Sequence, residues 1–234
     1  MLSFCIPAKN EELNLPETVK AVREACEALG VQYEIVVCEN GSKDKTLKVA
    51  RELGAKVIME QIPHISKARN SAAKAATGDT LIFLDADTKI HSKMLRETLS
   101  ALKSKKYRVV STITHYDTYP SAAIFVWIYN VLSLFFKLGL GQYTTLSKKD
   151  FVTLGGFDET VYAFEDIYFY KTVKRTFGRK SIKILWNGPV TSARKFKGRY
   201  NLFKPFLGLI KATLNKKAAT TKHDLEYWYG GDEI

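Results

Sequence analysis

Thr80-Leu81-Ile82-Phe83-Leu84-Asp85-Ala86-Asp87 is a strand-forming run that ends in two carboxylates. Apolar side chains follow one another without a polar alternation, the mark of a strand buried on both faces, as in parallel sheets flanked by helices. On an extended backbone side chains repeat every second residue, so Asp85 and Asp87 are expected on the same side. Two hard oxygen ligands so placed suit Mg²⁺ or Mn²⁺ completed by substrate phosphates and water. Acids at strand ends also serve as helix caps, so this pair alone leaves both readings open.

The neighbouring segments repeat the pattern. Strands are expected at Leu2–Ile6, Glu34–Cys38, Lys56–Met59, Thr80–Leu84, Arg108–Thr114 and Ile182–Trp186, and helices at Leu15–Leu29, Asp44–Leu53, Lys67–Ala76 and Lys93–Lys103. Strands alternating with helices predict an α/β fold with a mostly parallel sheet and helices on both faces. Ligands of such sheets bind outside the carboxyl ends of the strands. Those ends are polar: Pro7-Ala8-Lys9-Asn10-Glu11-Glu12, Glu39-Asn40-Gly41-Ser42-Lys43-Asp44 and Asp85-Ala86-Asp87. Asp44 or Ser42 fits an ordinary N-cap, yet capping does not require paired acids at the end of a buried strand.

Composition narrows the class. The 234 residues are 46% hydrophobic and 26% charged, which excludes a disordered chain, a collagen-like fibre and a disulfide miniprotein. Cys5, Cys26 and Cys38 have no C-x-x-C spacing, and the four histidines have no zinc-like partners, so a reduced, cytoplasmic protein without structural zinc is expected. No export signal is expected either, since Pro7-Ala8-Lys9-Asn10 interrupts the first apolar run. The net charge of +12 is concentrated: Ile167–His223 holds 15 Lys and Arg and no acid, against a nearly neutral remainder. Interleaved with Phe, Tyr and Trp, that block reads as a solvated face or as a surface for an anionic partner.

Two apolar stretches stand beside it. Ala122–Phe136, interrupted by Asn130 and Ser133, would reach roughly 22 Å as a helix, short of the ~30 Å hydrocarbon core. Phe203, Phe206, Leu207, Ile210 and Leu214 fall near one helical face, with Lys204, Lys211, Lys216 and Lys217 around it. A core helix, a homodimer contact and a peripheral membrane surface each explain Ile124–Leu140 and Pro205–Leu214.

Taken jointly, several motifs carry a resemblance: Ile6-Pro7-Ala8-Lys9-Asn10-Glu11-Glu12; Val37-Cys38-Glu39-Asn40-Gly41-Ser42-Lys43-Asp44-Lys45-Thr46; Ala68-Arg69-Asn70 with Ala75-Ala76-Thr77-Gly78-Asp79; Phe83-Leu84-Asp85-Ala86-Asp87; and Gly155-Gly156-Phe157-Asp158-Glu159 followed by Phe164-Glu165-Asp166. In this order they resemble the inverting family 2 glycosyltransferases of the GT-A fold, over roughly residues 2 to 200. The resemblance implies a nucleotide-diphospho-sugar donor, a hydroxyl acceptor, either a glycan or lipid-linked, and a Mg²⁺ or Mn²⁺ cofactor. It assigns Pro7, Ala8 and Glu11 to the base and ribose, Glu39 to the base, Arg69 to the side of the nucleotide, and Asp85 with Ala86 to the ribose or a metal-bound water. Asp87 becomes the metal ligand, Asp166 the general base and Glu165 the acceptor-holding acid. Thr191-Ser192-Ala193-Arg194-Lys195-Phe196 resembles a segment of small members, which sets Arg194 or Lys195 over the diphosphate.

The expected organisation is one GT-A domain over 1–234: a nucleotide-sugar-binding half at 1–115, an acceptor-side half at 116–223 whose basic helices could face a membrane, and a tail at 224–234. Glu39-Asn40 stands where the family usually has Asp-Asp, Lys9 where it often has an aromatic, and Tyr168 where another acid is common. These departures leave the nucleotide and the acceptor open. A catalytically silent module holding anionic lipid or nucleic acid is the competing reading. It gives no reason to keep Asp85, Asp87 and Asp166, and no zinc-finger, RNP-like or helix-turn-helix signature supports a nucleic-acid partner. A nucleotidyltransferase would call for a glycine-rich phosphate loop, and Pro7–Glu12 contains no glycine.

Overall fold

The computed structural model describes residues 1–117, 123–139, 141–193 and 220. Arg194, Lys195, the 203–214 stretch and the 224–234 tail lie outside the described residues.

The first half alternates as expected: β1 (Leu2–Ala8), α1 (Leu15–Glu27), β2 (Tyr33–Glu39), α2 (Thr46–Glu52), β3 (Lys56–Met59), α3 (Ile65–Ala75) and β4 (Thr80–Leu84). There follow β5 (Thr88–Lys89), α4 (Ser92–Lys103), β6 (Val109–Thr112), β7 (His115–Tyr116) and α5 (Ala123–Phe136). The second half adds β8 (Tyr143–Ser147), α6 (Lys148–Leu154), α7 (Glu165–Phe177), β9 (Ile182–Leu185) and β10 (Val190–Thr191). Seven strands form one sheet in the order β3-β2-β1-β4-β8-β6-β9, and β5-β10-β7 form a small second sheet. In the large sheet the pairs β1·β2, β1·β4, β2·β3 and β6·β9 are parallel, while β8 runs antiparallel to both β4 and β6. One sheet therefore takes strands from both sides of residue 115.

Alternate residues of β1 supply both cores. Leu2, Phe4, Ile6 and Ala8 pack with Leu15, Val19 and Val22 of α1 and Met94 and Leu95 of α4. Cys5 points the other way, into the cluster of Ala68, Ala72, Phe151, Phe157, Phe169 and Tyr170 contributed by α3, α6, the loop after it and α7. Burial on both faces is why β1 and β4 read as nearly continuous apolar runs, the buried Ser3 of β1 being satisfied by donating to Glu34 at 2.6 Å.

Boundary differences have local causes. Helix α3 starts at Ile65, two residues ahead of the expected Lys67, because the His64 side chain caps it by accepting the Lys67 N–H at 3.5 Å. Helix α2 starts at Thr46 because the Asp44 carboxylate accepts the Thr46 N–H at 2.9 Å and its hydroxyl, so Asp44 stays outside the helix. Strand β6 ends at Thr112, short of the expected Thr114. Asn130 of α5 takes both backbone groups of Thr114, accepting its N–H at 3.1 Å and donating to its carbonyl at 2.9 Å.

Candidate active site

The polar ends of β1 and β2 are sewn to each other. Asn10 N–H donates to Ser42 Oγ at 3.1 Å, Glu11 N–H to Thr46 Oγ1 at 2.8 Å and Glu12 N–H to Asp44 Oδ2 at 3.1 Å. In return Lys43 N–H donates to Asn10 Oδ1 at 2.8 Å and Lys45 N–H to Glu12 Oε2 at 2.9 Å. Loop backbone that cannot join a ladder is thus satisfied by side chains of the opposite loop. Pro7, Ala8, Glu11 and Glu39 sit on this platform and are buried. The Glu39 carboxylate closes its own turn by accepting the Ser42 N–H, and Glu11 Oε2 accepts from Asn14 at 2.9 Å.

Asp85-Ala86-Asp87 departs from the extended backbone expected for it. The chain leaves β4 at Leu84 and turns, with Thr88 N–H donating to the Asp85 carbonyl at 3.2 Å and Thr18 Oγ1 pinning the Ala86 carbonyl at 2.8 Å. The two carboxylates therefore meet different partners. Asp85 Oδ1 accepts from Arg69 at 2.8 Å, whereas Asp87 is buried with Oδ1 accepting from Thr191 at 3.3 Å and Thr88 at 3.5 Å. Both still act on one neighbour: the Tyr116 hydroxyl is pushed up to about 12 by burial, and the charges of Asp87 and Asp85 push the same way.

Arg69 is the hub. It is 3% exposed, one nitrogen donates to Glu165, and the other bridges Asp85 and the Gly141 carbonyl, the latter at 3.1 Å. Its guanidinium lies 5.3 Å from the centre of the Phe157 ring. Burial works against its charge, but Glu165, Asp85 and Asp166 outweigh that and hold its pKa above the ordinary value. The structure thus sets Arg69, expected beside the nucleotide, beneath the carboxylates, and it seats Glu165, expected at the acceptor, in that same buried ion pair.

Asp166 completes the cluster. Its Oδ2 accepts the Gly141 N–H at 3.0 Å and its Oδ1 accepts the Ile167 N–H at 2.8 Å. Burial first, then the negative charge of Glu165, raises its pKa to about 7, against the opposing pull of Arg69 and the two backbone donors. Gly141 is needed for this closeness: a Cβ there would stand 3.1 Å from Arg69 and 3.5 Å from Asp166 Oδ2. The acid pair enters α7 through Phe164, a non-glycine residue in the left-handed region at φ 58°, a local strain that fixes where Glu165 and Asp166 begin the helix.

Helix α3 holds this segment along its length. His64 Nε2 lies 3.0 Å from the Glu159 carbonyl, and Asn70 both accepts the Phe157 N–H and donates to the Phe157 carbonyl, each at 2.9 Å. The Ala68-Arg69-Asn70 motif thereby ties the loop before α7 to the Asp85 turn.

Sequence reading missed several lining residues. Gln142 donates to the Tyr116 hydroxyl at 3.1 Å and accepts from Thr114. Tyr129 of α5 is held well above its ordinary pKa by burial, then by the charges of Asp166, Tyr116 and Glu165. Thr191 reaches Asp87 from β10. The one signal for Tyr129 was its place beside Asn130 in an otherwise apolar run; Thr191 opened the motif-like 191–196 segment without being given a role, and Gln142 carried no signal.

The donor set also bears on a cation. Among the described residues no group of three or more His, Cys, Asp or Glu could enclose a metal. Asp85 and Asp87 each engage one carboxylate oxygen among the described residues and leave the second for a ligand. So few hard oxygen donors suit a Mg²⁺ or Mn²⁺ shared with phosphates rather than one caged by protein.

With this geometry in hand, the sequence profile described as Glycosyl transferase family 2 matches residues 3–146. The chain belongs to that family. A curated relative, the 4,4'-diaponeurosporenoate glycosyltransferase of Staphylococcus haemolyticus, is 30% identical over 159 residues, which cover 63% of this chain and 40% of the relative. The chain thus spans well under half of that glycosyltransferase. Solved structures share the fold. Glucosyl-3-phosphoglycerate synthase from Mycobacterium tuberculosis, in complex with Mn²⁺, uridine-diphosphate-glucose and phosphoglyceric acid, superposes with a TM-score of 0.64 at 19% identity, covering 93% of this chain and 79% of that one. S. aureus TarS 1-349 gives 0.61 at 18% identity, covering 97% and 68%. The α/β sheet is the GT-A fold, and both the family and the fold expectations stand.

Proposed function

We propose that this family 2 glycosyltransferase moves a sugar from a nucleotide-diphospho-sugar to a hydroxyl acceptor, with inversion and with a divalent cation. The observation that carries the reading is the Arg69 hub, which keeps Asp85, Glu165 and Asp166 together while Asp166 retains a pKa near neutrality. The donor class and Mn²⁺ are supported by the ligands of the mycobacterial synthase.

In the proposed reaction the acceptor oxygen attacks the anomeric carbon from the side opposite the diphosphate. The new C–O bond forms as the sugar–phosphate bond breaks, and the acceptor proton passes to the Asp166 carboxylate. A cation held by Asp87, with Asp85 beside it, would neutralise charge growing on the leaving diphosphate. Pro7, Ala8, Glu11, Glu39 and Ala86 form the donor platform in this reading. Arg69 acts through the carboxylates it holds, and Glu165 by fixing Arg69. The acceptor is a glycan or a lipid-linked hydroxyl, and a cytoplasmic site of action accords with three buried, unpaired cysteines.

A thermal-shift panel of UDP-, GDP- and dTDP-sugars with and without Mn²⁺ tests this. At a hundred times Kd a ligand stabilises by about 2.7 kcal/mol, or roughly 5–10 °C for a chain of this size. One nucleotide class should give a Mn²⁺-dependent shift that Asp87→Ala abolishes. No shift with any nucleotide sugar would overturn the reading and leave the anion-binding module.

A further inference from the structure

Helix α5 keeps two polar residues on its buried side, next to Leu134 against the core, and turns an apolar stripe outward. Its buried side holds Asn130, clamped on Thr114, and Ser133, which donates to the Leu138 carbonyl at 2.5 Å. Trp127, Val131 and Phe135 recur every fourth residue as one outward stripe, 64%, 38% and 65% exposed, and Phe136 extends it against the Phe135 ring at 5.0 Å. A contiguous exposed apolar patch of this kind marks an interaction surface.

Cations border one end of the stripe. Arg179 donates to the Phe135 carbonyl and lies 6.0 Å from that ring, and Lys174 donates to the Phe136 carbonyl at 3.2 Å. Burial, then the charges of Arg179 and Lys171, lowers the Lys174 pKa, so three cationic groups are crowded together. No Asp or Glu occurs in 118–149 or 167–223, the stretches of sequence to which α5, Lys171, Lys174 and Arg179 belong.

We propose that the Trp127–Phe135 face of α5 and its adjoining cation cluster seat the protein on an anionic lipid bilayer. Aromatic side chains suit the boundary between acyl chains and headgroups, and Lys and Arg beside them suit lipid phosphates. The 14 residues of α5 span about 21 Å, enough to lie in the interface, and no helix among the described residues is long and apolar enough to cross it. A second copy fits less well, because a two-fold contact would set one cation-bordered face against another. Docking does not depend on the proposed reaction; delivery of a lipid-borne acceptor does.

The full chain is tested by co-sedimentation with phosphatidylcholine vesicles with and without phosphatidylglycerol, in the absence of donor and acceptor. Binding should require the anionic lipid, weaken about tenfold or more in Trp127→Ser/Phe135→Ser, and weaken about fivefold in Arg179→Gln. Both aromatic side chains are exposed, so the double variant should keep the wild-type melting temperature. In a Trp186→Phe/Trp228→Phe background Trp127 is the sole tryptophan, and its emission should shift to the blue on anionic vesicles alone. Undiminished binding by the double variant would overturn the proposal. So would an absence of vesicle binding, shielding of Trp127 from an aqueous quencher before lipid is added, or a dimer that the double variant dissociates.

Discussion

Replacing Asp166 by Asn separates catalysis from stability, because the same burial that makes the carboxylate a base near neutrality makes its charge costly. Loss of a positioned base slows transfer by about 10²–10⁴-fold. Donor binding in Mn²⁺ should persist, since Asp87 and the Glu11–Glu39 platform are untouched. In the wild type, Asp166 must be ionised to accept the acceptor proton, so kcat/KM should fall about tenfold per pH unit below about 7. Stability runs the other way. A carboxyl raised from 3.8 to about 7 holds its proton more tightly in the folded state, so its contribution is full below pH 4 and is lost as pH rises through 7. Carried at full value that displacement is about 4 kcal/mol. Partial exposure and solvent relaxation reduce the expected gain of Asp166→Asn to about 1–2 kcal/mol at pH 8, vanishing near pH 4. Urea unfolding at the two pH values and single-turnover transfer of labelled sugar measure both effects. Wild-type turnover by Asp166→Asn, or a variant less stable than wild type at pH 8, would refute the assignment.

Two further substitutions probe the scaffold. Arg69→Met strips the partner from Asp85 and Glu165 and should cost about 3–5 kcal/mol by urea denaturation; because Arg69 lowers the Asp166 pKa, the acid limb of any residual activity should move to higher pH. A Cβ at Gly139 would stand 2.1 Å from the Tyr170 hydroxyl and 2.6 Å from Ser111 Oγ, so Gly139→Ala should destabilise by about 1–3 kcal/mol, and an unchanged melting curve would contradict that packing.

The first half of the fold was legible because its signals are local. A strand buried on both faces is mostly apolar at consecutive positions, as Phe4–Ile6 of β1, Ile35–Cys38 of β2 and Leu81–Leu84 of β4 are, and the polar clusters that come next mark where each strand gives out. The antiparallel β8 was not legible. Its Thr144 and Thr145 look like loop residues but are buried, Thr144 pairing with the Tyr170 hydroxyl at 3.0 Å, a partner 26 residues away. The α5 run showed its length and its two polar interruptions but not which side faces outward. That was decided by Asn130 finding Thr114.

The acids of the site could be named from the chain alone, since each follows a strand or opens a helix within a recognisable motif. Their pairing could not. Arg69 joins Glu165 across 96 residues and Gly141 across 72, and hydrogen bonds over such separations leave no trace in local pattern. Sequence determined which carboxylates are present and that they gather at strand ends. Tertiary structure alone decided which are spent on Arg69, which keeps a raised pKa, and which tyrosines face them, because desolvation and charge act through space.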